Sequence, residues 1–371
     1  MTKSNLFILN TDYQFTLAVA AINALYSLDH NIILFFYRKS DLIKILRTQD
    51  FKFRIYFLNS SESYNLRLVN GLINELKRIF NYRQAMGKIL GLEFDNIFIS
   101  QEEKKYLAIV QKIKRIDTRL IHLEEGNVIN ILSTEVSSIS INESKLVRFI
   151  KTLREKMRLL YFGKIELDSS KEYGHADFYD GALILNYENL ITNLEKKEIN
   201  IIPSEVYVKT LNEIYSFDSL LINRLAKVSK ILFIITDGES AKEKFNQQVY
   251  QEIIVTITNA AVDMGYKVFL KKHPIYSGYL DKLTATLEVI DENLPAEYYF
   301  TRLHKTITVI GGSSTSLAIS KRLGIPTFSY LRIYTSKVST TPTVETKSLL
   351  DYLEKIEINQ ITSISDLRSR I

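Results

Sequence analysis

Short apolar runs rich in β-branched residues alternate with longer stretches of helical apolar spacing along most of this 371-residue chain. In the first half, the runs at 6–9, 32–37, 54–58, 96–100 and 119–123 predict strands, each bounded by polar or turn residues. Between them, 16–28 and 66–89 carry the apolar stripe of an amphipathic helix. The pattern returns after residue 227, with strands expected at 230–236, 267–271, 287–290, 306–310 and 327–330 and helices at 242–264 and 314–323. Such alternation predicts βαβ units around a mostly parallel sheet, here twice over. Residues 165–227 mix polar, aromatic and turn residues, and are expected to close the first domain and form a connector. The expected division is therefore 1–227 and 228–344. The tail, 345–371, has the periodicity of one or two helices and is expected to pack back on the first domain.

Composition narrows the classes. Hydrophobic residues make up 46% and charged residues 24%, enough for two cores under a solvated surface. The absence of cysteine excludes disulfides, thiol nucleophiles and thiolate metal sites. A net charge of +6 suits an anionic ligand or an anionic membrane surface. Basic and acidic residues are interspersed and no nucleic-acid motif is present, so nucleic acid is not an expected partner. No apolar run is long enough to span a bilayer. The opening run ends at Asn10-Thr11-Asp12 without a small-residue cleavage site, which does not read as an export signal; the expected location is the cytoplasm.

Candidate chemistry gathers at the ends of predicted strands, where α/β sheets bind nucleotides. Strand 119–123 runs into Glu124-Glu125-Gly126. Repulsion between adjacent carboxylates makes one the better base, although a solvated turn uses the same residues. Strand 267–271 runs into Lys271-Lys272-His273-Pro274. Pro274 biases His273 toward an extended backbone, and an imidazole there can bond a phosphate oxygen or move a proton near neutrality. Strand 306–310 runs into Gly311-Gly312-Ser313-Ser314-Thr315-Ser316. There a tight turn, the N–H groups of a helix start and the hydroxyls of Ser313, Ser314 and Thr315 make a phosphate site, or simply a serine N-cap. No Gly-Lys-Ser/Thr is present, so this is no P-loop. Thr236 and Asp237 end the strand 230–236 and are lesser candidates for nucleotide contact; Glu297 is one for ribose hydroxyls. His30 and His304 read as surface or turn residues, His122 as a strand residue and His175 as part of the connector. No histidine pair has metal-ligand spacing and no Asp-x-Asp is present, so no metal is expected.

Glu124-Glu125-Gly126, then His273-Pro274, then Ser313-Ser314, in that order, resemble the motifs of the bacterial sialyltransferases. These are the lipooligosaccharide enzymes of glycosyltransferase family 52, the capsular polysialyltransferases of family 38 and the related family 80. The resemblance implies a GT-B fold, two Rossmann-like domains facing across a cleft, with the acceptor on 1–227 and CMP-sialic acid on 228–344. It implies that the acidic pair supplies the general base. Neighbouring strand residues face opposite sides, so one of the two points inward; Glu124 is favoured, with Glu125 as its helper. It further implies that His273 contacts the CMP phosphate and acts as general acid, and that Ser313 and Ser314 bind the same phosphate. Gly126, Lys271, Pro274, Thr236, Asp237, Glu297 and Thr315 complete the expected donor set. The implied reaction is inverting and metal-independent, transferring sialic acid to a hydroxyl of a bacterial lipooligosaccharide or capsule glycan. Such acceptors are lipid-linked at the inner membrane. Two alternatives stand beside it: another GT-B transferase using CDP-glycerol or a different nucleotide sugar, and a catalytically dead glycan-binding protein.

Residues 144–164 carry seven lysines and arginines against one acid, Glu155, along an apolar stripe. A basic amphipathic helix of this kind either rests on an anionic membrane or packs with its basic side in water. With lipid-linked acceptors, peripheral contact at the inner face of the inner membrane is the expectation.

Overall fold

A computed structural model describes residues 2–37, 46, 50–59, 68–100, 104–124, 152–153, 156–157, 159–162, 164–165, 167, 178–185, 197–216, 220–236, 246–272, 287–290, 294–303, 305–338 and 344–371. Contacts divide the chain into two units, with the described residues up to Thr210 in the first and those from Leu211 onward in the second.

In the first unit, β1 (Ser4–Leu9), β2 (His30–Tyr37), β3 (Arg54–Asn59), β4 (Asn96–Ile99), β5 (Arg119–Leu123), β6 (Gly181–Ile184) and β7 (Glu198–Ile201) form a sheet ordered β3-β2-β1-β4-β5-β6-β7. Every ladder in it is parallel. Alternate residues feed two cores. Leu6, Ile8, Leu34, Phe36, Ile97 and Ile99 meet residues of α2 (Leu68–Ile89) and α3 (Lys104–Ile113). On the other face Phe7 stacks on Phe98 at 4.3 Å, and Phe35 meets Phe15 of α1 (Asp12–Leu25) at 5.1 Å. The register is pinned by a buried amide ladder: Asn96 donates to Asn5 Oδ1 (2.8 Å) and Asn5 donates to Asn31 Oδ1 (2.9 Å). A one-residue slip would leave these amides unpaired, which costs about 1–3 kcal/mol each.

The second sheet contains β8 (Ile231–Ile235), β9 (Lys267–Lys271), β10 (Glu288–Ile290), β11 (Ile307–Gly311), β12 (Thr327–Ser329) and β13 (Asn359–Gln360), in the order β10-β9-β8-β11-β12-β13, again parallel. One face packs on α6 (Gln247–Asp263) through Leu232, Ile234, Ile254 and Ile257. The other receives α7 (Ala296–Leu303), whose Tyr299 and Phe300 rings lie 5.6 and 5.7 Å from Phe233. In both sheets the order runs outward from the first strand to the third and then resumes on the other side of the first, as doubly wound sheets do, so each has a crevice at the carboxyl ends of its first and fourth strands.

Three expectations change. Residues 165–227 are more than a connector: they supply β6 and β7 as well as α4 (Ser204–Ile214) and α5 (Leu220–Leu225), and the division falls inside α4 rather than at 227. β6 depends on Gly181, because a Cβ there would stand 2.6 Å from the Glu198 carbonyl oxygen. The tail belongs to the second unit. After α9 (Leu331–Val338) it forms α10 (Val344–Lys355), then β13, which pairs with β12, then α11 (Ile364–Arg370), whose Leu367 is buried in the second core. Finally, the helix expected at 16–28 starts at Asp12, because Thr11 and Gln14 form a capping box.

Candidate functional site: two carboxyl edges

At the carboxyl edge of the second sheet, register aligns four strand ends in one row. Lys271 pairs with Ile235, Ile235 with Gly311, and Gly311 with Ser329. Gly311 is needed there: a Cβ would come within 3.2 Å of Leu317 Cδ2 and 3.3 Å of the Ile235 carbonyl oxygen. The turn that follows is braced from β12. Tyr330 N–H donates to Gly311 O (2.9 Å) and the Ser329 hydroxyl to Gly312 O (2.6 Å). The chain then enters α8 (Thr315–Arg322) with Ser314 as N-cap, its Oγ accepting from Ser316 N–H at 3.3 Å. The plain cap reading is therefore realised, yet it leaves chemistry in hand: a hydroxyl oxygen that accepts one bond still has its own proton to donate. Ser313, Ser314 and Thr315 are all half-buried on this turn.

Glu297, in the first turn of α7, is buried at 6% exposure and accepts a 2.7 Å bond from the Ser316 hydroxyl. Burial pushes its carboxyl above the ordinary glutamate range, while the Ser316 bond, its own backbone N–H and the Lys271 charge pull the other way. Lys271 is itself buried and donates to Lys272 O at 3.4 Å. Ser316, which sequence reasoning placed in the motif but gave no task, thus joins Glu297 to the serine turn, and Lys271 acts on the same carboxyl through its charge. Two residues that reasoning missed, Ser329 and Tyr330, hold the turn; the Tyr330 hydroxyl also meets Tyr250 (2.7 Å) and Ile235 O (3.4 Å). No local signal marks them: Ser329 ends the three-residue β12 and Tyr330 follows it directly. Thr236 is fully buried, with its N–H (3.1 Å) and hydroxyl (3.5 Å) on Lys271 O, so this position braces the strand end rather than presenting a hydroxyl to solvent.

At the carboxyl edge of the first sheet, Glu124 follows β5 and is buried at 7% exposure. Its N–H donates to Leu183 O (3.0 Å), and its Oε2 accepts from Leu185 N–H (2.6 Å). Glu124 is thus turned into the protein and tied to β6 and the chain that leaves it. His122 lies inside β5, fully buried beside the Tyr179 ring at 5.2 Å, as expected of a strand residue. His30 is exposed at the start of β2. Glu125, Gly126, Asp237, His273 and Pro274, with His175 and His304, lie outside the described residues. Among the described residues no cluster of histidines and carboxylates could hold a metal ion, and no helix is long and apolar enough to cross a membrane.

No protein-family model matches the sequence, and no curated protein matches it. Solved structures do match in fold along nearly the whole chain. The alpha/beta-galactoside alpha-2,3-sialyltransferase of Photobacterium phosphoreum is 15% identical, with 99% of this chain and 100% of that one covered at a TM-score of 0.56. The fold is GT-B. A glycotransferase of kitacinnamycin shares it at 9% identity, covering 100% of this chain and 90% of that one at a TM-score of 0.54. So does the UDP-GlcNAc 2-epimerase of Methanocaldococcus jannaschii, solved with UDP-GlcNAc and UDP, at 13% identity, 97% and 94% coverage and a TM-score of 0.51. At these identities the likeness concerns the GT-B fold, which serves glycosyl transfer in two of these proteins and epimerisation in the third.

Proposed function

We propose that this chain is an inverting sialyltransferase that moves sialic acid from CMP-sialic acid to a hydroxyl of a bacterial surface glycan, without a metal. The observation that carries this reading is the second sheet's braced Gly311–Ser314 turn, backed by buried Glu297 and Lys271, on a GT-B fold shared with a sialyltransferase. A nucleoside monophosphate is a weakly charged leaving group. Hydroxyls of Ser313 and Ser314, the helix start and the His273 imidazole can stabilise the charge that develops as the anomeric C–O bond breaks, and His273 can protonate the departing phosphate. Gly126, Pro274, Asp237 and Thr315 complete the donor side in this proposal. The acceptor hydroxyl loses its proton to a carboxylate. Glu124, positioned by the Leu185 N–H on its Oε2, is the proposed base, with Glu125 as its helper. Glu297 serves by setting Ser316 and the turn; a direct bond to ribose would compete with Ser316 for its Oε1.

The test is a panel of CMP-sialic acid, CMP, CDP-glycerol and UDP-GlcNAc in thermal-shift and product assays, with and without a chelator. Turnover of CMP-sialic acid, unchanged by the chelator, is the expected result. Stabilisation by CDP-glycerol or UDP-GlcNAc with no product from CMP-sialic acid would transfer the reading to another GT-B transferase or an epimerase. Absence of turnover with every donor would leave a glycan-binding GT-B protein.

Peripheral membrane contact belongs to the same proposal. Within 144–164, Met157 and Phe162 pack on Ile79 and Ala108, so part of the apolar stripe is core. Leu159 and Leu160 stay exposed at 58% and 77%, as do Leu76 and Phe80 on α2, with Lys156 and Lys164 exposed nearby in sequence. Exposed leucines among bases fit an anionic lipid surface. Sedimentation with anionic vesicles should fall several-fold for L159S/L160S and at high salt, and unchanged sedimentation would remove this part of the proposal.

A further inference from the structure

The first sheet has a second concave feature, at the edge where its strands begin. An open cleft of about 930 Å³ is lined by Ser4, residues 29–32, 51–54 and 91–94. Along β1, at about 3.3 Å per residue, this lies roughly 17 Å from the carboxyl edge and its candidate base. Two half-buried rings form one wall: Phe51 and Phe53 stand 5.0 Å apart, and Phe51 is backed by Phe15 at 6.1 Å. Opposite them the chain turns through Gly91, whose φ of +87° suits glycine.

The charges of the cleft are unequally engaged. Asp29 already accepts from Lys3 N–H (3.0 Å) and the Asn5 amide (3.1 Å), and Glu93 is paired with Arg115 at 2.5 Å. Lys52 and Arg54 are exposed, and no acid among the described residues pairs with them; Arg54 donates to the Tyr56 hydroxyl (3.3 Å), and the exposed His30 ring adds a further N–H donor. The cleft therefore offers apolar ring faces and two exposed basic side chains, while Glu93 is paired with Arg115 and both Asp29 oxygens already accept hydrogen bonds. An open groove of this size suits a stretch of chain better than an enclosed small molecule.

We propose that this cleft binds a segment of acidic oligosaccharide, with sugar faces against Phe51 and Phe53 and carboxylates against Lys52, Arg54 and His30. Its role as a holding site for this enzyme's own acidic glycan rests on the sialyltransferase reading; the binding itself does not. Saccharide is favoured over a lipid surface because the rings lie inside a cleft instead of projecting from it.

The experiment is titration calorimetry of the full chain with a short sialic acid oligomer. The comparison ligands are a neutral glucose oligomer of equal length, a single-stranded oligonucleotide of equal charge and anionic vesicles. Saturable, salt-sensitive binding of the acidic oligomer is expected, weakened about ten-fold or more in K52E/R54E and in F53S, a loss of about 1.4 kcal/mol per ten-fold. CMP affinity and turnover on a short acceptor should not change. If K52E/R54E fails to fold, K52Q/R54Q removes the two charges without reversing them and must show the same direction. Unchanged binding in the folded variants, or equal or tighter binding of the oligonucleotide or vesicles, overturns the proposal. Donor turnover is measured separately, so an inactive protein that still binds the oligomer through this cleft would refute the function and keep the site.

Discussion

Two buried carboxylates at two sheet edges, Glu124 and Glu297, are used in opposite ways. They are almost equally hidden, at 7% and 6% exposure. Glu124 receives a backbone N–H from Leu185, on the chain leaving the neighbouring strand, so its position is set by the sheet itself. Glu297 receives a side-chain hydroxyl from Ser316, nineteen residues on, so its position and that of the serine turn are set by each other. Burial alone does not assign a role to a carboxylate; the identity of its donor separates a group aimed by the sheet from one that stiffens a loop.

Changing the two acids in the same way should break the comparison if it is wrong. Glu124→Gln keeps an oxygen for Leu185 N–H but cannot remove a proton, so sialyl transfer should fall about a hundred- to ten-thousand-fold with little change in Tm. Glu297→Gln should cost far less, about ten-fold, and mostly in donor KM, since it loosens the phosphate turn without touching the acceptor. Equal losses in kcat for both variants would place Glu297 among the reacting groups.

The glycines offer a second contrast. Gly181→Val puts a Cβ 2.6 Å from the Glu198 carbonyl, a backbone atom that cannot yield without parting β6 from β7. A loss of about 1–3 kcal/mol is expected, visible in urea melts, and Glu124 should suffer with it because Leu183 and Leu185 are its partners. Gly311→Ala meets the mobile end of Leu317 at 3.2 Å and the Ile235 carbonyl at 3.3 Å, so its smaller stability loss should come with weaker CMP binding.

These contacts mark where the sequence was legible. β5, β8, β9 and β11 are buried apolar runs, and their ends were readable as candidate sites because a doubly wound sheet binds at that edge. β7 is Glu-Ile-Asn-Ile with both ends exposed, and β13 is a polar Asn-Gln pair; edge strands are held by ladder bonds, so hydrophobic pattern does not announce them. That is why residues 165–227 read as a connector and why the tail was expected on the wrong domain. In the site, Glu297 and the serine turn were singled out separately. Their bond runs through Ser316 across two helix starts, a tertiary fact without local periodicity.

Helix caps sharpen the same contrast at lower cost. Thr11 caps α1 at the first sheet's carboxyl edge, and Ser314 caps α8 at the second's. Replacing either by alanine should lower stability by about 1 kcal/mol. Ser314→Ala should also reduce CMP affinity several-fold, read by calorimetry, whereas Thr11→Ala should leave it alone. Equal CMP affinity in the two variants would reduce Ser314 to a cap.

The smallest effect is a dependence on pH, and its sign follows from the direction of the Glu297 shift. Burial holds its carboxyl above the ordinary value of 4.5, so the folded protein binds this proton more tightly than the unfolded chain does. That contribution is fully present below 4.5 and is lost as pH rises from there through the folded value. Asp366, held low by the Thr362 N–H and by Arg370, and Glu198, held low by Arg119, act in the opposite sense: their stability is present above the ordinary values and lost as pH falls. The wild-type curve mixes these signs, so the informative quantity is the Tm of Glu297→Gln minus that of the wild type. An amide cannot ionise, so this difference should grow more positive as pH rises above 4.5 and level off once the wild-type carboxyl is fully charged. A difference that stays flat from acid to neutral pH would mean that Ser316 and Lys271 together offset the burial of Glu297, leaving its carboxyl no harder to ionise in the folded protein than in the unfolded chain.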